Sequence, residues 1–163
     1  MRADFVDATV FMGMNSTDPA IRDACASFFV DRLDSTVAIS LEQVGKCDDV
    51  VWGYSRQVQD AYYPFMDNVH TELRFDRLGY EERDIAEAHA DTRAGMTITD
   101  KLQLAVVTNR GGTLHTLNPR LLAAPSAPVR RPARRPDGRV PFPAHLEVLY
   151  RDSLALLVDL EDM

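Results

Sequence analysis

Several polar residues fall at positions where a side chain serves either to cap the backbone or to take part in chemistry. Asp100 falls in the first turn of a predicted helix, and Thr116 and Asn118 fall at the carboxyl end of the strand predicted next. Ligands of open α/β sheets bind at that end of the strands. Asp7 interrupts a buried apolar run, where a carboxylate is costly unless it is hydrogen-bonded, ion-paired or bound to a metal ion. These residues are therefore candidates for a polar site.

Each acid also has an ordinary structural explanation. Asp7 is suited to capping a turn or accepting backbone hydrogen bonds near the end of a strand, and Asp100 is suited to capping a helix. Glu42 falls in the first turn of another predicted helix, where an acid interacts favourably with the helix dipole. The residues alone leave the choice between capping and chemistry open.

The elements that would position these residues alternate between strands and helices. Ala3–Met12 is a near-continuous apolar run that predicts a first strand buried on both faces. Asp18-Pro19 is typical of a helix start, and Pro64 predicts a break in the aromatic helical stretch Asp48–Leu73. Further strands are predicted at 35–40, 73–78 and 113–117, and further helices at 20–33, from 80 to about 93, and from 99 to the glycines at 111–112. This alternation predicts an α/β fold with parallel strands.

The stretch Met96–Leu122 resembles the last helix-and-strand unit of the PIN-domain family, which comprises metal-dependent nucleases and includes many bacterial toxin ribonucleases. In that family an Asp opens the helix and the strand ends in Thr-x-Asp or Thr-x-Asn, as at Asp100, Thr116 and Asn118. PIN domains also begin with a strand that carries Asp followed by a small polar residue, which Asp7-Ala8-Thr9 matches. The resemblance covers residues 3–122 and implies a three-layer α/β/α fold with a central, mostly parallel sheet.

The same resemblance implies a metal-dependent phosphodiesterase site that contains Mg²⁺ or Mn²⁺. Crowded carboxylates are favourable mainly when such a cation neutralises them, and a bound cation lowers the pKa of its water. The implied residues are the catalytic and metal-binding acids Asp7, Glu42 and Asp100, the further metal ligand Asn118, the supporting Thr9 and Thr116, and the phosphate-binding Arg120.

By resemblance, the expected function is hydrolysis of RNA phosphodiester bonds by a toxin-type endoribonuclease, with an antitoxin or another protein as partner. Asn118 stands where many active members have a fourth Asp, which removes one negative charge and weakens a second metal site. The alternative is a catalytically degenerate PIN-like binding or accessory protein, for example in a bacterial biosynthetic pathway. A third hypothesis is a metal-dependent hydrolase of a small phosphorylated molecule.

The distribution of charge bears on an RNA partner. The chain has a net charge of −7, yet the stretch from Arg120 to Arg139 contains six arginines and one acid. An acidic body repels a polyanion unless metal ions or a local basic surface offset its charge. The arginine-rich stretch is therefore expected to hold phosphates without reading sequence.

Composition also bounds the compartment. Cys25 and Cys47 are too few for a disulfide framework and lack metal-site spacing, which favours a reducing cytoplasm. No run approaches the ~20 apolar residues needed to span a membrane, so no membrane partner is expected. The 163 residues fit one domain of common size.

The C-terminal quarter departs from the PIN pattern. Ala123–Pro143 contains six prolines and most of the arginine cluster, so a mobile loop or arm is expected there. The apolar alternation that begins at Leu146 predicts strands that pack on the same domain or on the second subunit of a homodimer, while a helix across Ala144–Leu157 is the alternative. The predicted organisation is a PIN-like domain at 1–122, the loop or arm at 123–143 and a C-terminal extension at 144–163.

Overall fold

The computed structural model describes residues 2–163, and its centre is a parallel β-sheet. Within those residues the strands are β1 (Asp4–Val6), β2 (Thr36–Ser40), β3 (Arg74–Leu78), β4 (Thr113–His115) and β5 (Val129–Arg130). The order across the sheet is β3-β2-β1-β4-β5, and every neighbouring pair is parallel. The predicted α/β class with a mostly parallel sheet is confirmed.

Helices cover both faces of the sheet. They are α1 (Ala8–Gly13), α2 (Pro19–Val30), α3 (Leu41–Trp52), α4 (Arg56–Glu72), α5 (Glu82–Ala90), α6 (Ile98–Thr108), α7 (Pro119–Leu122), α8 (Ala144–Ser153) and a 3₁₀ helix (Leu160–Asp162). Because side chains alternate along a strand, Val6 and Val37 point into one apolar cluster, while Phe5 and Ala38 point into the other. The fold is therefore a three-layer α/β/α arrangement. Within residues 2–163, none of the helices has the length and apolar character that a bilayer crossing requires.

The first strand is shorter than predicted, and the prediction of a strand over Ala3–Met12 is wrong beyond Val6. The chain turns into α1 because the Asp7 carboxylate accepts hydrogen bonds from the backbone amides of Thr9 (3.0 Å) and Val10 (3.3 Å). An acceptor of this kind satisfies amides that have no partner inside the helix. The apolar run was ambiguous because a buried strand and a short buried helix have the same composition.

The aromatic helical stretch breaks earlier than predicted. Residues 53–55 separate α3 from α4, and Ser55 caps α4 by accepting a hydrogen bond from the Val58 amide (3.4 Å). Pro64 lies inside α4 on its exposed side, where water can satisfy the carbonyl group that proline leaves without a donor. The predicted break at Pro64 is therefore wrong.

The proline- and arginine-rich segment 123–143 packs more than expected. Its residues Val129 and Arg130 form β5 and extend the sheet beside β4. Phe142 is buried, with its ring centroid 5.7 Å from that of Phe65 and 5.3 Å from that of Tyr150. The segment is mostly a loop, as predicted, but it packs on the domain at both of these places.

The C-terminal segment 144–163 adds a helix and not the predicted strands. In α8, Leu146 and Tyr150 are buried, whereas Val148 is 60% exposed. Burial at positions i and i+4 is the helical spacing, and it excludes the alternation expected for a strand. Beyond α8, Val158 contributes a single bridge to Ser16. The helix that the sequence left as the alternative is the element observed.

Candidate acidic site

Asp7 is the most enclosed acid of the predicted site. Its side chain follows β1 and is buried between α1 and the end of β4. One carboxylate oxygen accepts from the Thr9 hydroxyl (2.6 Å) and from the two backbone amides that start α1, and the other accepts from the Thr116 hydroxyl. Burial raises the pKa of this carboxyl, and the hydrogen bonds from Thr116 and Thr9 offset part of that rise. Each carboxylate oxygen of Asp7 therefore has at least one protein donor.

Asp100 is enclosed in a different way, because its principal partner is a cation. Its carboxylate accepts from Arg120 Nε (2.7 Å) and Nη2 (3.3 Å), so the guanidinium contacts both oxygens. Asp100 also forms a capping box with Thr97, in which each side chain accepts from the other residue's backbone amide at 3.1 Å. Burial works against ionisation of Asp100, but the hydrogen bonds and charge of Arg120 outweigh it and lower the pKa of the carboxyl.

Thr116 and Asn118 connect the two acids. The Thr116 hydroxyl donates to Asp7 and accepts from the Asn118 backbone amide (3.0 Å). The Asn118 side chain donates from Nδ2 to Asp100 (3.1 Å), and its Oδ1 caps α7 by accepting from the Arg120 amide (3.0 Å). The structure therefore brings most of the predicted site into one network at the carboxyl ends of β1 and β4.

Glu42 is not part of that hydrogen-bonded network. It lies in the first turn of α3, as predicted, but within residues 2–163 it makes no hydrogen bond to Asp7, Asp100, Thr116 or Asn118. Burial raises the pKa of Tyr80, and the hydrogen bond and charge of Glu42 raise it further.

Gln43, the residue after Glu42, is the residue of α3 whose side chain reaches the turn at Asp7. Gln43 is buried, and its Oε1 accepts from the Ala8 amide (2.9 Å) at the start of α1. Sequence reasoning missed this residue. The signal was the spacing Ser40-x-x-Gln43, which resembles a capping box, and Ser40 does cap α3 by accepting from the Gln43 amide (3.2 Å).

A divalent cation such as Mg²⁺ or Mn²⁺ needs several oxygen ligands that are free to face it. Within the part of the chain that the structure describes, no group of three or more His, Cys, Asp and Glu side chains is close enough together to hold a metal ion. The oxygens of Asp100 are occupied by Arg120, and Asn118 presents its nitrogen to that carboxylate while its oxygen caps α7. As arranged, Asp7, Glu42, Asp100 and Asn118 do not fit Mg²⁺ or Mn²⁺, which need several open oxygen ligands.

Fold and site together define an all-parallel α/β protein with a buried acidic network at the carboxyl edge of its sheet. A family model described as "Family of unknown function (DUF6190)" matches residues 1–163, so the chain belongs to that family. No curated protein matches the chain.

Proposed function

We propose that this protein is a PIN-like domain that acts as a binding or accessory protein. In this proposal the Arg120 guanidinium neutralises Asp100 in the acidic network and takes the place of a metal ion. The observation that carries the proposal is the two-point contact between the Arg120 guanidinium and the Asp100 carboxylate. A paired guanidinium supplies the positive charge that a buried carboxylate requires, through charge-assisted hydrogen bonds. Asp100 therefore has no need of a metal ion in order to remain ionised.

The PIN-like part of the proposal is supported by placement. Asp7 follows the central strand β1, Glu42 opens the helix after β2, and Asp100 opens α6, which leads into β4. Thr116 and Asn118 follow β4 and join two of these acids. This placement agrees with the pattern implied by the family resemblance, whereas the satisfied hydrogen bonds favour the non-catalytic alternative.

Calorimetric titration with Mn²⁺ tests the proposal. Wild type and Asp100→Ala are expected to give the same weak, non-specific heats, and neither is expected to cleave RNA in the presence of Mn²⁺. Asp18→Ala is a matched control, because Asp18 is an exposed carboxylate at the start of α2 whose side chain accepts from the Ala20 amide. Stoichiometric Mn²⁺ binding that is lost in Asp100→Ala and retained in Asp18→Ala would refute the proposal.

A second candidate is the metal-dependent endoribonuclease, and it is favoured by the exposure of Arg120. The side chain of Arg120 is 48% exposed, so the guanidinium has room to rotate into solvent and release Asp100. Glu42, which takes no part in the hydrogen bonds of the acidic network within residues 2–163, would then be a further acid at the start of α3. This candidate predicts Mg²⁺- or Mn²⁺-dependent RNA cleavage and growth arrest on expression, both abolished by Asp7→Asn; full activity in that variant would remove it.

A further inference from the structure

A cavity of about 310 Å³ lies between α2, the end of β4 and the segment that follows β5. We call it the basic cavity, because its wall contains many more cations than acids. The side chains that define it are those of Ser27, Arg32, His115, Arg130, Arg131 and Arg135. Asp31 is the only acid among the residues that line it.

Two of the four arginines in this wall already have carboxylate partners. Arg32 donates from Nε to Asp4 (2.9 Å), and Arg135 is paired with Asp31. The side chains of Arg130 and Arg131 make no ion pair or hydrogen bond within residues 2–163. The basic cavity therefore presents two uncompensated positive charges in a protein whose net charge is −7.

The inner wall contains a polar group without a partner. Ser27 is 2% exposed, and its hydroxyl makes no hydrogen bond within residues 2–163. Buried hydroxyls are normally paired, since leaving one unsatisfied costs free energy. The oxygen is closed to solvent, so a ligand acceptor in the cavity reaches it only after the side chains around it shift.

The rest of the wall is fixed in position. His115 Nε2 lies 2.8 Å from Asp4 Oδ1, and its ring lies against Phe28 with centroids 4.6 Å apart. The guanidinium of Arg32 lies over the Phe28 ring, 3.7 Å from the ring centroid. The backbone of Arg130 is held beside His115 by the pairing of β5 with β4. These side chains are thus held by contacts within the protein, which reduces the ordering cost of binding.

We propose that the basic cavity binds a compact anion that carries two linked phosphate groups. Guanidinium groups recognise phosphate oxygens by paired hydrogen bonds, and Arg130 and Arg131 are available for that role. A volume of about 310 Å³ suits a small ligand and is too confined for a folded macromolecule. A cleft whose wall has an excess of positive charge also concentrates anions even when the whole protein is acidic. This inference does not depend on which function is assigned to the acidic network.

Calorimetric titration of the full chain with inorganic pyrophosphate at low ionic strength tests the inference. Arg130→Gln and Arg131→Gln are each expected to weaken binding about tenfold or more, the usual cost of one charged hydrogen bond. Arg134→Gln is the matched control, because Arg134 is exposed in the same segment and does not line the cavity. It is expected to leave the affinity within about twofold of wild type, allowing for weak long-range charge effects.

Ser27→Ala separates ligand binding from a structural role. If the hydroxyl donates to the anion, this variant binds pyrophosphate several-fold more weakly while its thermal unfolding is unchanged or improved, because an unpaired buried hydroxyl has been removed. Failure of pyrophosphate to bind wild type, or equal weakening by Arg134→Gln and Arg131→Gln, would overturn the inference. It would also be overturned if a single-stranded RNA bound through Arg130 and Arg131 while pyrophosphate did not compete.

Discussion

The acidic network and the basic cavity lie in the same small protein and treat charge in opposite ways. In the acidic network, Asp7 and Asp100 are buried, and their oxygens accept from hydroxyl, amide and guanidinium donors. In the basic cavity, Arg130 and Arg131 have no partner within residues 2–163, and the Ser27 hydroxyl is unsatisfied. A polar site that is already satisfied stabilises the fold, while one that is not satisfied is available to a ligand. The comparison is the reason why we propose ligand binding at the arginines of the basic cavity.

The largest effect is expected from Asp7→Ala. The substitution removes the acceptor for the Thr9 and Thr116 hydroxyls and for the amides that start α1, so we expect a loss of about 3 kcal/mol in the free energy of unfolding. Asp18→Ala removes an exposed cap with one hydrogen bond and should cost about 1 kcal/mol. Urea unfolding of both variants measures the difference. Equal losses would mean that Asp7 is no more than an ordinary helix cap.

The next largest effect on the free energy of unfolding is expected from the ion pair between Arg120 and Asp100. Arg120→Ala leaves the buried Asp100 carboxylate without its cation, and we expect a loss of about 1–2 kcal/mol, below the value for a fully buried pair because Arg120 is half-exposed. A double-mutant cycle with Asp100→Ala isolates the pair from the capping box. Strictly additive effects would show that the two side chains do not interact in solution.

A smaller effect is expected from pH, and it has opposite signs for the two acids. The folded-state pKa of Asp100 is lowered from an ordinary value of 3.8, so its ionised form stabilises the fold above that value and this contribution is lost as pH falls through the folded pKa. The folded-state pKa of Asp7 is raised, so its contribution is present below the ordinary value and is lost as pH rises through the folded pKa. Asp100→Asn should therefore differ most from wild type at neutral pH, and the difference should shrink in acid. Urea unfolding of both proteins across this pH range measures the difference in the free energy of unfolding. A difference that grows on acidification would contradict the lowered pKa of Asp100.

The smallest effect on stability is expected in the basic cavity. The double variant Arg130→Gln/Arg131→Gln removes charges that have no acid partner within residues 2–163, so the free energy of unfolding should change by less than about 0.5 kcal/mol at moderate salt. Thermal unfolding at two salt concentrations provides the measurement. A loss above about 1 kcal/mol would indicate that these arginines hold the fold together.

Local signals in the sequence predicted much of the fold. Asp18-Pro19 starts α2, and Gly111 has a positive φ of 63° in the turn that follows α6. These features depend on residues close in the chain, whose geometry is set by caps and turns. The alternation of strands with helices likewise predicted the parallel sheet, because parallel strands need long crossovers.

The remainder depended on contacts that spacing does not reveal. The pairing of Arg120 with Asp100 spans a helix end, a strand and a turn, and it replaced a predicted phosphate contact by an internal ion pair. Leu146 and Tyr150 satisfy both a strand pattern and a helical one, and only the exposure of Val148 separates the two. The basic cavity required the proline-rich segment to fold back on α2, which its polar composition argued against.

The central claim is that Arg120 takes the place that a metal ion would need beside Asp100. The most direct measurement is a structure from a crystal of the protein soaked in Mn²⁺, with the anomalous signal examined at the acidic network. We predict that Arg120 remains on both oxygens of Asp100 and that no anomalous peak appears among Asp7, Glu42 and Asp100. A peak there, with the Arg120 side chain turned into solvent, would contradict the account.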